Sequence, residues 1–315
     1  MEKRDVILSI IIPIYNEEQI LPELHDRLTK AAREVTEDYE LIFVNDGSRD
    51  ASLLGLMQIA EKDAKSFYIH FSRNFGHQIA VTAGIDYCSG DAVVIIDGDL
   101  QDPPELIPEL YKKHKEGFEV VYARRESREG ETFFKKFSAK MFYRTLRRLT
   151  SVDIPLDTGD FRLIDHKIVE CLRQMPEQNK FLRGQIAWMG FNQTAVYFKR
   201  DKRKHGKSGY PLSKMLKFAM DGVTAFSDKP LGFVTRAGFI ISGLSFLLIL
   251  YAIFAHFALN QTITGWTSLI VSSMFIGGVQ LISIGIIGEY IGRINKNVLD
   301  RPLYIIQDTN LKKEA

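Results

Sequence analysis

Two stretches of 23 residues, 237–259 and 266–288, contain no Asp, Glu, Lys or Arg. At about 1.5 Å of rise per residue, a helix of that length crosses a hydrocarbon core of about 30 Å with some tilt. A pair of buried core helices is the alternative. The connection 260–265 is short and uncharged, which predicts an antiparallel hairpin. Arg236 precedes the hairpin, and Arg293, Lys296 and Arg301 follow it. The positive-inside rule therefore puts both ends, and everything N-terminal to them, in the cytoplasm. Gly277, Gly278, Gly285 and Gly288 would let helices approach closely and could support a homo-oligomer, while Gln280 is read as an interhelical hydrogen-bonding group. Just before the first span, 211–227 sets Leu212, Met215, Leu216, Phe218 and Ala219 against Lys214 and Lys217, an amphipathic helix suited to the membrane interface.

The rest of the chain has a different rhythm. Residues 1–123 alternate short apolar runs with helical patterns, the sign of βαβ units around a mainly parallel sheet, hence the α/β class. Strands are predicted at 7–12, 40–44, 67–71, 92–96 and 120–123, with helices near 17–35, 50–62, 77–88 and 104–116. The run 6–14 is too short, and too interrupted by Ser9 and Pro13, for a signal peptide. Further on we expect a charged loop over 124–136, a basic helix over 133–149, an irregular stretch at 157–160, a helix at 166–174 and a strand at 194–198, with Trp188 in the core. The expected organisation is a cytoplasmic domain over 1–210, an interfacial helix over 211–228, two membrane helices within 229–292 and a cytoplasmic tail over 293–315.

Charge narrows the partners. The net charge of +2 is too small for nucleic-acid binding by bulk electrostatics, but basic residues crowd into 124–148 and 199–217, which points to a local anionic partner. Cys88 and Cys171 lack metal-ligand spacing, so neither a disulfide framework nor a zinc site is expected.

In open α/β sheets, ligands bind beyond the carboxyl ends of the strands. Four polar clusters fall there: Pro13-Ile14-Tyr15-Asn16-Glu17, Asn45-Asp46-Gly47-Ser48, Ser72-Arg73-Asn74-Phe75-Gly76-His77 and Asp97-Gly98-Asp99-Leu100-Gln101-Asp102. One such cluster is an ordinary turn; four on one rim suggest a site. In the last, two carboxylates and an amide oxygen can reach one hard cation, Mg²⁺ or Mn²⁺, with a substrate phosphate completing its shell. There is neither a P-loop nor a G-x-G-x-x-G after the first strand, which counts against ATPase and dinucleotide readings. His77, at a helix start, is as well suited to capping or packing as to ligand contact.

With Thr158-Gly159-Asp160-Phe161-Arg162-Leu163 added, these motifs in this order resemble family 2 glycosyltransferases of the GT-A fold, a Rossmann-like α/β architecture. More narrowly, they resemble polyprenyl-phosphate glycosyltransferases, including bactoprenol glucosyltransferases and dolichol-phosphate mannose synthases. Gly288-Glu289-Tyr290-Ile291-Gly292-Arg293, directly after the hairpin, matches the bacterial branch. The resemblance implies that Pro13, Tyr15, Glu17 and Asp46 hold the nucleoside of a sugar donor, and that Asp97, Asp99 and Gln101 hold the metal on its diphosphate. It implies that Arg203 and Lys207 close over that diphosphate. Arg124, Arg128, Lys135, Lys136 and Ser138 would receive the acceptor phosphate. Asp160, ahead of Asp157, would be the catalytic acidic residue; a structural bond to Arg162 or to nearby amides is the alternative.

The implied reaction transfers one sugar from a nucleotide sugar, UDP-glucose first among donors, to undecaprenyl phosphate at the inner leaflet of the plasma membrane, with inversion. UDP-N-acetylglucosamine, UDP-galactose and GDP-mannose are alternatives, as is a silent nucleotide-sugar-binding scaffold. A lipid monophosphate has a second pKa of about 6 and is already nucleophilic near neutrality, so the site needs charge neutralisation and in-line positioning rather than a strong base. A flippase and a second glycosyltransferase are the downstream partners such a product implies.

Overall fold

A computed structural model describes residues 6–125, 158–198, 229–259 and 265–311. The chain divides into two compact units, a sheet unit that includes residues 300–311 and a helical unit around the two C-terminal helices.

In the sheet unit eight strands form one sheet in the order β7-β5-β6-β4-β1-β2-β3-β8. β1 (Leu8–Ile14), β2 (Tyr39–Asn45), β3 (Ser66–Phe71) and β4 (Ala92–Ile95) form its parallel centre. β5 (Val120–Arg125) and β7 (Gln193–Phe198) are parallel to each other. β6 (Thr158–Asp165) runs antiparallel between β4 and β5, and β8 (Ile306–Thr309) antiparallel along β3.

Every residue of β1 and β2 is buried, because helices cover both faces of the sheet. Leu8, Ile10, Ile12 and Ile14 enter one core with α1 (Leu21–Arg33) and α4 (Ile107–Lys115), which follows a 3₁₀ turn at Pro104–Leu106. Ile11 points the other way, into a core with α3 (His77–Tyr87), α5 (His166–Arg173) and α6 (Leu182–Trp188). Each such side chain contributes about 1.5–3 kcal/mol on burial, which fixes the strand register and with it the rim where the strands end. α2 (Ser52–Lys62) completes the first layer.

β6 departs from the sequence expectation and matters most for the site. Residues 158–160, expected to be irregular, belong to a strand that continues to Asp165. The pairing of Arg162 with both Ile95 and Tyr122 carries the start of β6 past the carboxyl end of β4. Asp160 therefore reaches the same rim as Asp97. Two other elements were not expected: α6 and the edge strand β8. Trp188, expected in the core, is 63% exposed. Leu182, Gln185 and Ile186 take the buried face of α6, and Trp188 falls about 120° away from it.

In the helical unit both charge-free stretches are helical, within α7 (Lys229–Leu259) and α8 (Trp266–Val298). Among the described residues one segment, Phe275–Val298, is long and apolar enough to cross a membrane. Among the described residues, a Cβ added at Gly277, Gly278, Gly285 or Gly288 would meet nothing within 4 Å.

Candidate active site

The loops after β1, β2 and β3 are tied into one rim by side chain to backbone bonds. Asn16, at φ +57°, donates its N–H to Ser48 Oγ (3.0 Å) and accepts from the Arg49 N–H at Oδ1 (2.8 Å). Asn45 Oδ1 accepts from the Ser48 N–H (2.9 Å). Gly47 sits at φ +65° with its missing Cβ 2.4 Å from the Arg73 carbonyl carbon, so only glycine lets the second and third loops touch. Asp46 binds the third loop from inside: its carboxylate accepts the Phe75 N–H (2.6 Å) and the Gly76 N–H (2.9 Å). Burial pushes the Asp46 carboxyl up, against those two amide bonds and the nearby charges of His77 and Arg73. A cavity of about 180 Å³ opens here, lined by Pro13, Tyr15, Asp46, Asn74, Gly76 and His77.

Beside this crevice lies a dense charge cluster. His77 Nε2 is 3.1 Å from Asp160 Oδ2 and 3.5 Å from Asp97 Oδ1. Arg183 Nε donates to Asp160 Oδ1 at 2.7 Å, and Gln78 Nε2 to Oδ2 at 3.4 Å. Arg162 is buried within β6 and donates to the carbonyls of Gly159 and Asp160. Burial disfavours charge on all of these groups, and the partners decide which keep it. Asp160 would be raised by burial, but His77 and Arg183 hold it well below the usual carboxylate range. His77 would be lowered by burial, yet the bond to Asp160 and the charges of Asp97 and Asp160 carry it up to about 9. Asp97 is pushed up to about 6 by burial, opposed by His77 and reinforced by Asp160, Asp102 and Asp99. Burial pulls the Arg162 guanidinium down to about 10.

The carboxylate and imidazole atoms of Asp97, Asp160 and His77 all lie within 4.8 Å of one another, close enough to share one divalent cation. Among the described residues Asp97 Oδ1 is buried without a hydrogen-bond partner, with His77 Nε2 no nearer than 3.5 Å, an oxygen that a cation would satisfy. Gly98 lets the chain turn tightly there, since an added Cβ would lie 2.5 Å from Ile14 Cδ1.

Residues 9–173 match the model of Glycosyl transferase family 2. The chain is 52% identical over 304 residues to the uncharacterized glycosyltransferase YkcC of Bacillus subtilis, covering 96% of this chain and 94% of that protein. It is 38% identical over 307 residues to the SfII prophage-derived bactoprenol glucosyl transferase of Shigella flexneri, covering 96% and 98%. The chain belongs to glycosyl transferase family 2. A looser likeness links this glycosyltransferase to glucosyl-3-phosphoglycerate synthase of Mycobacterium tuberculosis, solved with Mn²⁺, uridine diphosphate and glucosyl-3-phosphoglycerate. That match has a TM-score of 0.46 at 16% identity over 70% of this chain and 79% of the other.

Pro13, Tyr15 and Asp46 share the crevice, and Asp97 and Asp160 share the charge cluster. The Glu17 N–H donates to Ser52 Oγ at 3.0 Å. Asp99 turns Oδ1 to the Gln101 N–H at 3.1 Å, with Leu100 between them at φ +55° and Gln101 buried. Arg124 lies at the end of β5 with its guanidinium 5.7 Å from the Tyr197 ring centre. Arg128, Lys135, Lys136, Ser138, Asp157, Arg203 and Lys207 lie outside the described residues. Arg162 bonds the backbone around Asp160, and its guanidinium stands 3.8 Å from the carboxylate, behind Arg183 and His77. Arg183 is the contributor that sequence reasoning missed, and His77, left open between capping, packing and ligand contact, joins the charge cluster. His77 carried a signal in its position at a strand-end loop, whereas Arg183 sits on a short helix that nothing local marks.

Proposed function

We propose that this glycosyltransferase moves one glucosyl unit from UDP-glucose to undecaprenyl phosphate at the cytoplasmic face of the inner membrane, with inversion at the anomeric carbon. The observation that carries the reading is the meeting of Asp97, Asp160 and His77 beside the crevice of Tyr15 and Asp46. Likeness to bactoprenol glucosyl transferases over nearly the whole chain supports the acceptor and the sugar. In this reading Pro13, Tyr15, Glu17 and Asp46 bind the nucleoside. Asp97 and Asp160, with His77 and the adjoining Asp99 and Gln101, would hold a divalent cation. That cation, Mg²⁺ or Mn²⁺, would stabilise the departing nucleoside diphosphate.

The protein groups then have separate tasks. Asp160, kept ionised by Arg183 and His77, orients the sugar or the acceptor; no strong base is required, because a lipid phosphate is already anionic. Arg124, with Arg128, Lys135, Lys136 and Ser138, neutralises the acceptor phosphate. Arg203 and Lys207 close over the donor diphosphate, and Asp157 is the second acidic candidate.

The membrane assignment places α7 and α8 as a two-span hairpin, following an interfacial helix over 211–228, with the sheet unit in the cytoplasm. Exposed Phe239, Phe246, Leu269, Leu281 and Ile282 support it, since so much apolar surface is costly in water. The reading is tested with the purified full-length protein, Mn²⁺ or Mg²⁺, a short polyprenyl phosphate and labelled UDP-glucose, UDP-N-acetylglucosamine, UDP-galactose and GDP-mannose. Lipid-linked glucose is the expected product. Another lipid-linked sugar would overturn the donor, and no transfer from any donor would overturn the reaction.

A further inference from the structure

The third rim loop, residues 72–76, is held from two sides. From inside, Asp46 accepts its amides at Phe75 and Gly76. From outside, it meets the segment that joins α8 to β8. The Ser72 N–H donates to the Ile305 carbonyl at 3.0 Å. The Tyr304 ring stacks on Phe71 at 5.1 Å and 19°, and Phe71 in turn meets the edge of Phe75 at 5.6 Å and 84°. Arg73 covers the Phe75 ring at 4.0 Å. The Tyr304 hydroxyl donates to Asp86 Oδ2 at 2.7 Å, in the last turn of α3. Burial and the Asp86 charge push that phenol up.

Tyr304 thus grips both ends of the β3–loop–α3 segment, while β8 holds it in place through Thr309 Oγ1 on the Tyr68 carbonyl (2.6 Å) and the Tyr68 N–H on Asn310 Oδ1 (2.8 Å). The segment in between carries Asn74 and Gly76 in the loop and His77 and Ala80 in the first turn of α3, four of the eight residues that line the crevice. We propose that Tyr304 is a positioning residue for nucleoside diphosphate binding: through Phe71, Phe75 and Asp86 it sets the loop whose amides close on Asp46. This rests on reading the crevice as the nucleotide site. Tyr304 does not line the crevice, so its effect travels through the loop.

The test uses the full-length glycosyltransferase in detergent, with uridine diphosphate binding measured by calorimetry and donor KM and kcat by transfer. Tyr304→Phe, which keeps the ring and removes the bond to Asp86, should weaken uridine diphosphate binding about threefold, and Tyr304→Ala about tenfold, with kcat within about twofold. Ile168→Ala, a core truncation on α5, should lower Tm and leave binding unchanged. Tyr15→Ala reports on the crevice itself. If Tyr15→Ala weakens binding and Tyr304→Ala does not, the role of Tyr304 falls and the crevice reading stands. If neither weakens it, the crevice reading falls and takes this inference with it. Equal weakening by Ile168→Ala would reduce the Tyr304 effect to general destabilisation and overturn it.

Discussion

The two ends of the parallel strands handle buried carboxylates in opposite ways. Near their amino ends Glu40 is enclosed by donors: Oε1 accepts the Ser9 hydroxyl at 2.6 Å and the Ser89 N–H at 2.8 Å, and Ser9 Oγ accepts the Gly90 N–H at 2.8 Å. At their carboxyl ends Asp97 and Asp160 crowd together with Asp99 and Asp102 nearby, and Asp97 Oδ1 has no hydrogen-bond partner. The first arrangement is closed and joins β1, β2 and the turn before β4. The second answers Asp160 with Arg183 and His77 but leaves Asp97 Oδ1 short of a donor among the described residues. A carboxylate that the fold satisfies is structural, and one that the fold leaves wanting is available to a ligand.

Substitutions at the two ends should therefore separate cleanly. The largest effect is expected at the rim: Asp160→Asn should cut transfer about 10³-fold with the fold retained, as judged by circular dichroism. Full activity with an unchanged pH profile would remove Asp160 from catalysis. At the other end, Glu40→Ala leaves the Ser9 hydroxyl and Ser89 amide without their acceptor. It should cost about 3 kcal/mol in denaturant unfolding, with donor KM unchanged in the protein that remains folded. A change in donor KM instead would erase the distinction.

Asp97→Asn should show the contrast within one variant. Burial and the neighbouring carboxylates already oppose its charge, so in chelator the neutral amide should raise stability by roughly 1 kcal/mol while activity is lost. A destabilised variant would mean that His77 more than compensates for the crowding. The smallest effect belongs to neither end. On the surface Glu105 takes two hydrogen bonds from Arg27, both at 2.7 Å, with its side chain 58% exposed. Glu105→Gln should cost no more than about 0.5 kcal/mol. The hydrogen bond and charge of Arg27 hold Glu105 below its usual range, so this contribution is present above the ordinary carboxylate pKa and lost as pH falls through the lowered one. The difference between the two proteins should vanish in acid and shrink in high salt.

The parallel half of the sheet was legible because β1 and β2 are buried on both faces, and near-continuous Ile, Val and Phe announce that condition. The rim clusters were legible for the same reason, as the polar residues where those runs stop. β6 was not, because a buried arginine and an exchange of polar and apolar residues disguise TGDFRLID as a loop. Arg162 is tolerated there because it bonds the carbonyls of Gly159 and Asp160 and stands 3.8 Å from the Asp160 carboxylate. Asp160 could be matched to a family motif, yet its meeting with His77 and Arg183 depends on antiparallel pairing across distant sequence, which no local period encodes. β8 reads IQDT, half-exposed and without an apolar run, and is held by Tyr68 and Asn310 rather than by burial. Trp188 failed for a related reason, since its size argued for the core while the phase of α6 put it outside.

The place of β8 in the chain also sets an order of events during synthesis. The ribosome makes β1 to β7 first, then α7 and α8, and only afterwards the strand that covers β3. Until then β3 has an uncovered edge on that side, and an edge strand is an invitation to foreign pairing. A chain interrupted between residues 199 and 303 carries every element of the acidic rim but lacks the ring that braces its third loop. Tyr304 and β8 are thus made only after the helical pair, and the third loop meets them last.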